Sequence, residues 1–253
     1  MGLFRKLLGR EPVWTQRWNI YSGDTGDQLA MYNVDLGAVD AAPVAKLPLR
    51  VDVEFSYAGD GASGMPDDTE LREIRSLEDA VDKAMRALGG AYVGRVLSAN
   101  TGRLTGYLPE SASAPALPTQ VALQPQLSVT PDPAWSRVLD ELAPDAWQLN
   151  MIEDIQVVQA LESHGDRLDA EREVEHVGYF PDQERAEASA EALRATGFAV
   201  TVGPDDEGGF ELQAVRSDPV EPPGIHSVTW QVRAAVEGHG GVYDGWGCAV
   251  QIS

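Results

Sequence analysis

Val174-Glu175-His176-Val177-Gly178-Tyr179-Phe180-Pro181-Asp182 is the stretch from which the fold of the C-terminal half is read most directly. Its first seven residues form an apolar strand. Pro181 and Asp182 stop that strand and begin a helix whose inner face is Ala186, Ala190 and Leu193, with Gly197 closing it. Phe198 to Val202 and Phe210 to Val215 then read as two strands around the turn Gly203 to Gly209. After Pro222-Pro223 a second helix turns Ile225, Val228, Val232 and Ala235 inward, and Gly241 to Ile252 supplies a last strand. The order is β-α-β-β-α-β. Right-handed crossovers make this a ferredoxin-like sandwich, with two helices on one face of an antiparallel sheet and the first and third strands central.

Upstream the pattern is also mixed. Val13 to Tyr21 reads as an aromatic strand followed by the turn-forming Gly23 to Asp27, and Gln28 to Asp35 returns beside it. Leu49, Val51, Val53, Phe55 and Tyr57 alternate along a third strand. Leu71, Ile74, Leu77, Val81, Ala84 and Leu88 recur at helical spacing until Gly89-Gly90. Ala91 to Leu97 and Gly102 to Leu108 suit a hairpin, and the run Val121 to Val129 belongs at a sheet edge because of Pro125. Asp132-Pro133-Ala134-Trp135 predicts a helix start, with Trp135, Val138 and Leu142 facing one way. The expected organisation of this α+β chain is a basic amphipathic terminus (1–12), an α+β sandwich with an antiparallel sheet (13–150), a helical linker (151–173) and the ferredoxin-like domain (174–253). In the linker, Ile152, Ile155, Val158 and Leu161 share a side.

Charge narrows the partners. The chain has 40 acidic against 19 basic residues, a net −21, so phosphate backbones are repelled and direct nucleic-acid binding is disfavoured. From Val174 to Ser253 there are 13 Asp or Glu against 4 Arg, a net −9. A basic protein segment is the better match to such a surface. Cys248 is the single cysteine, which excludes an internal disulfide and a multi-cysteine metal centre, and it reads as a small buried hydrophobe in a reducing, cytoplasmic setting. Met1 to Arg10 is too short for a signal peptide or a span; Leu3, Phe4, Leu7 and Leu8 on one face, with Arg5, Lys6 and Arg10 around them, fit at most a weak contact with a membrane or a partner.

The second block of interest is Gly240-Gly241-Val242-Tyr243-Asp244-Gly245-Trp246-Gly247. Glycines alternating with large polar-tipped aromatics in a strand mark a bulge or the close approach of another backbone. Tyr243, Asp244 and Trp246 read either as core residues with a local cap or as a recognition patch, joined by His176 and Tyr179 from the neighbouring first strand. A His176–Asp244 contact is geometrically possible, and His176, Tyr243 and Asp244 are the only constellation with catalytic character. Zinc is disfavoured, because the histidines 164, 176, 226 and 239 lack ligand spacing, and no cofactor is expected. No Gly-x-Ser-x-Gly elbow occurs, and the acidic turn Gly203 to Gly209 joins two strands, which is unsuited to phosphate.

Together with the helix and strand between them, the His176 to Asp182 and Gly240 to Gly247 blocks resemble the ribonuclease E inhibitor B (RraB) family of bacterial regulators. Val13 to Trp147 resembles an uncharacterised bacterial module, domain of unknown function 695. The resemblance implies a non-catalytic regulator that binds a ribonuclease E-like endoribonuclease or its basic segment without touching RNA. An immunity-like or adaptor protein that blocks a toxin or nuclease through its acidic surface is the alternative, and an enzyme using His176 and Asp244 is a third reading.

Overall fold

The computed structural model describes residues 14–25, 28–61, 63–118 and 123–252, so the basic terminus read from Met1 to Arg10 lies outside the described residues. The chain divides into two compact units, 1–145 and 146–253. Both are α+β. Among the described residues no helix is long and apolar enough to cross a membrane.

The first unit is a six-stranded antiparallel sheet in the order β1-β2-β4-β5-β3-β6. Its strands are β1 (Trp18–Thr25), β2 (Gln28–Asp35), β3 (Leu49–Ser56), β4 (Ala91–Ser98), β5 (Thr101–Leu108) and β6 (Gln126–Pro131). The short α1 (Leu36–Ala41) follows β2, and α2 (Asp68–Ala87) follows β3. Asp67 and Glu70 form a capping box that satisfies the first N–H groups of α2. Ile74, Leu77, Val81 and Met85 then bury one stripe of the helix against Val51, Val53, Phe55, Leu104 and Leu108. The edge position read from Pro125 is realised by β6, which begins one residue later.

Two local expectations are corrected. The first strand starts at Trp18 and runs through Gly23 and Asp24, residues read as part of a turn. Asp132-Pro133-Ala134-Trp135 is a turn with Trp135 at φ +58°, and the helix after it is a π-helix, Arg137–Leu142. Packing decides this. The Trp135 ring stacks on Tyr107 at 4.0 Å, meets Trp14 edge-on at 5.8 Å, and its indole N–H donates to the Leu47 carbonyl at 2.9 Å. Full burial of so large a side chain outweighs a strained backbone angle.

The same face of the sheet carries a buried ionic lattice. Asp52 accepts from Thr105 at 2.9 Å and from Arg50 at 2.7 Å, and Asp132 accepts from the Tyr107 hydroxyl at 2.8 Å and the Ser136 N–H at 2.9 Å. Burial opposes the Asp132 charge, but these donors, with the Arg137 N–H and Arg50, hold its carboxyl below the ordinary range.

The second unit has the ferredoxin-like layout. Its sheet runs β10-β7-β9-β8, with β7 (Arg172–Phe180) and β9 (Phe210–Asp218) central and β8 (Ala199–Pro204) and β10 (Val242–Cys248) at the edges. Asp182 caps α4 (Gln183–Arg194) through the Arg185 N–H, and Ala186, Ala190 and Leu193 face the core as expected. Val232 and Val236 of α5 (Gly224–Gly238) join them, and Gly178 lets α5 approach, since a Cβ there would stand 3.0 Å from the Val236 methyls.

The stretch read as a linker is part of this unit. α3 (Ala146–Ser163) starts ahead of the expected boundary, and its Val158 and Leu161 pack with Val174, Val220 and Ile225. The charge-rich segment after it is fixed too. Arg172 is buried and ion-paired with Asp166 at 2.6 Å, the Arg167 N–H donates to Gln251 and the Val220 N–H to Leu168. A charge-rich composition resembles a linker in sequence, but here one arginine is buried and paired rather than solvated.

Candidate functional site

The alternation of β7 separates the two faces of the C-terminal sheet. Arg172, Val174, His176, Gly178 and Phe180 are buried toward the helices, while Glu173, Glu175 and Tyr179 are exposed on the other side. The helices cover one face. The opposite face is open.

The Gly240 to Gly247 block divides by position. Gly240, at φ +78°, ends α5, with its N–H bonded to the Glu237 carbonyl and the next N–H to Val236. Gly241 leaves room for the Phe180 ring, which a Cβ would meet at 2.5 Å. Between Tyr243 and Gly245 the register against β7 shifts by one residue, so that Tyr243 opposes Gly178, Gly245 opposes Val177 and Trp246 opposes His176. Asp244 is the extra residue of this bulge, and Gly245 takes φ +130° beside it.

The bulge sends the five predicted residues to different places. Tyr243 and His176 are core: a 2.9 Å hydrogen bond joins the hydroxyl to His176 Nδ1, and the Arg233 guanidinium lies over the Tyr243 ring at 4.9 Å. Burial pushes His176 down to about 4, against the weaker opposing pull of Asp218, and pushes the Tyr243 hydroxyl well up. His176 is therefore a neutral ring at neutral pH. The expected His176–Asp244 pair does not form, because Tyr243 takes the imidazole and the bulge leaves Asp244 exposed. Of the three residues with catalytic character, His176 and Tyr243 are joined in the core and Asp244 stands apart from them.

Trp246 turns toward α3 and donates its indole N–H to Asp154 at 2.8 Å. Asp154, on the helix read as a linker, is buried and accepts also from Thr229 at 2.7 Å and Asn150 at 3.0 Å, with His226 Nδ1 at 2.9 Å. Sequence reading missed this hub, which joins α3, α5 and β10. Its signal was two polar residues, Asn150 and Asp154, four apart in line with Val158 on the buried stripe of a helix.

Tyr179 and Asp244 remain exposed. Desolvation at the strand surface, and then the fields of Glu211, Asp244, Asp205 and Glu207, raise the Tyr179 hydroxyl above the ordinary tyrosine range. The ring thus stands among carboxylates from β9, β10 and the β8–β9 turn. Beside it a trench of about 620 Å³ crosses the β10–β7–β9 rungs, lined by Glu173, Glu175, Val177, Val215, Asp244 and Gly247 among others. This arrangement holds no nucleophile with an adjacent base. What it offers is negative charge, a flat apolar floor and one aromatic face. Cys248, at the trench end, is half-buried and its thiol is pushed up by burial. Among the described residues no group of His, Cys, Asp and Glu is arranged to hold a metal ion.

Residues 151–248 match the family described as regulator of ribonuclease activity B (RraB), and residues 16–140 match a family of unknown function, DUF695. The two matches follow the order that the sequence resemblance implies. No curated protein matches the chain.

Proposed function

We propose that this protein, a DUF695 module joined to an RraB domain, is a regulator of a ribonuclease E-like endoribonuclease and acts by binding the enzyme rather than its RNA. The match of residues 151–248 to a family of ribonuclease regulators carries the reading. The geometry is compatible with it in two respects. The exposed side of the RraB-type sheet is acidic, which suits a basic protein segment and repels RNA. Of the three residues with catalytic character, the bulge holds Asp244 apart from His176 and Tyr243.

The test uses the purified full-length enzyme from the same organism and a single-stranded RNA substrate, with the full chain titrated in. A several-fold, saturable change in cleavage rate and co-elution of the two proteins are expected. An unchanged rate at large molar excess, with no co-elution, removes the reading. Inhibition of a nuclease toxin in the same assay, without an effect on the ribonuclease E-like enzyme, would transfer the role to the immunity-like alternative.

A further inference from the structure

We infer that the trench over β10, β7 and β9 is a docking site for an extended, arginine-bearing segment, with arginines at alternate positions facing the sheet. This rests on the reading of the protein as a partner-binding regulator and names the chemistry of the bound segment.

The first observation is an uncompensated charge. From Ala146 onward the chain has six arginines and no lysine, and every one is ion-paired: Arg167 with Asp169, Arg172 with Asp166, Arg185 with Asp182, Arg194 with Glu187, Arg216 with Asp218, and Arg233 with Glu153 and Glu237. None of these pairs includes a carboxylate of the trench. Among the described residues Glu173 and Asp244 have no cation of their own, nor has Glu211 on the same sheet face, and Glu175 accepts from the neutral amide of Gln213. Like charges gathered on one sheet face without counterions repel one another, and an incoming cation relieves that repulsion.

The second observation is a glycine that the fold does not need. Gly247 has no left-handed backbone angle, and a Cβ built on it meets no atom within 4 Å. Glycine in a strand interior costs stability and has to be justified by a bulge, a bend or a close approach. The bulge is already served by Asp244 and Gly245. Gly247 lies opposite Glu175, so it leaves the sheet surface bare beside that carboxylate.

The geometry selects among cations. Glu173 and Glu175 are two residues apart on one strand, about 6.8 Å, which is also the spacing of alternate side chains in an extended segment. A guanidinium is planar, engages a carboxylate with two parallel N–H donors, lies flat over a bare backbone and stacks on a tyrosine such as Tyr179. An ammonium meets a carboxylate only as a point charge and has no planar face to lay over the backbone. β10 is an edge strand, and a bulge of this kind in an edge strand disfavours strand addition, which leaves the face as the docking surface.

The test measures binding of a short labelled peptide, arginine alternating with serine, to the full chain by fluorescence anisotropy, beside its lysine counterpart. Gly247→Val and the double variant Glu173→Gln, Glu175→Gln are compared with the double variant Glu184→Gln, Glu191→Gln, which removes the same charge from the exposed side of α4. The arginine peptide is expected to lose about tenfold or more in affinity with either trench variant, to change less than about twofold with the α4 control, and to bind several-fold tighter than the lysine peptide. Equal losses in trench and control variants would reduce the effect to net charge and overturn the inference. So would unaltered binding to Gly247→Val, shown folded by its circular dichroism. The ribonuclease assay separates the two levels. An enzyme regulated equally by wild type and trench variants leaves the regulator in place and removes this site, whereas peptide binding without any effect on the ribonuclease does the reverse.

Discussion

The two sheets of this chain use opposite solutions to the same problem. In the six-stranded sheet, β4 is buried along nearly its whole length, because α2 covers one face and the Trp135 turn with the π-helix covers part of the other. In the four-stranded sheet, β7 alternates buried residues with exposed ones and the half-buried Val177, because all three helices of that unit leave one face bare. Covering a face turns its charges into structure. Asp52 and Asp132 are engaged by arginines, hydroxyls and backbone N–H groups, whereas Glu173 and Asp244 on the bare face have no ion pair among the described residues. The difference teaches where to look for function: in side chains that the fold has left uncommitted.

Four measurements break or sharpen that contrast. Trp135→Ala should be the most damaging, destabilising the first unit by about 4 kcal/mol in chemical denaturation, since it empties a fully buried site between two aromatic rings. Asp154→Ala should cost about 3 kcal/mol, because it strands the Trp246 indole N–H, the Thr229 hydroxyl and the Asn150 amide in the interior. A loss under about 1 kcal/mol would mean that water replaces the carboxylate there.

The third concerns pH. His176 titrates near 4 in the folded domain, below its ordinary value, so the unfolded chain takes up the proton first. Its contribution is complete above about pH 6.5 and is lost as pH falls from there toward 4, up to about 3 kcal/mol over the window. Denaturation midpoints of wild type should therefore fall across this window more steeply than those of His176→Leu; parallel slopes would show that the ring is solvated. The smallest effect belongs to the open face. Glu175→Gln and Gly247→Val should each move stability by less than about 0.5 kcal/mol, and a larger loss would make that face part of the scaffold.

Much of this was legible along the chain. The β-α-β-β-α-β order, the cap at Asp182 and the inner face of α4 rest on local rules, namely side-chain period, capping and chain-stopping glycine, and the structure repeats them nearly residue for residue. The helix Asp68–Ala87 and the hairpin after it were equally plain. The reading failed where a distant partner decides. Trp135 accepts a left-handed backbone because Tyr107, Trp14 and the Leu47 carbonyl receive it. The segment read as a linker is ordered because Asp166 lies beside Arg172 and Val158 beside Val174.

The candidate site shows the same division. Residue types alone placed Tyr243, Asp244, Trp246, His176 and Tyr179 on two neighbouring strands, and that pairing of strands is present. Which of them face outward was not contained in the sequence pattern, because one bulged residue inverts the parity of everything after it. A strand has period two, so the register shift at Asp244 brings Tyr243 and Trp246 onto the helix side while Asp244 itself stays exposed. The sequence by itself determined the elements, their order and the acidic character of the last domain, since these depend on neighbours along the chain. Only the tertiary structure decided that His176 is a buried neutral ring, that Asp154 is the hub of the C-terminal unit, and that the carboxylates of one sheet face have no ion pair among the described residues, since these depend on contacts between residues far apart in the chain.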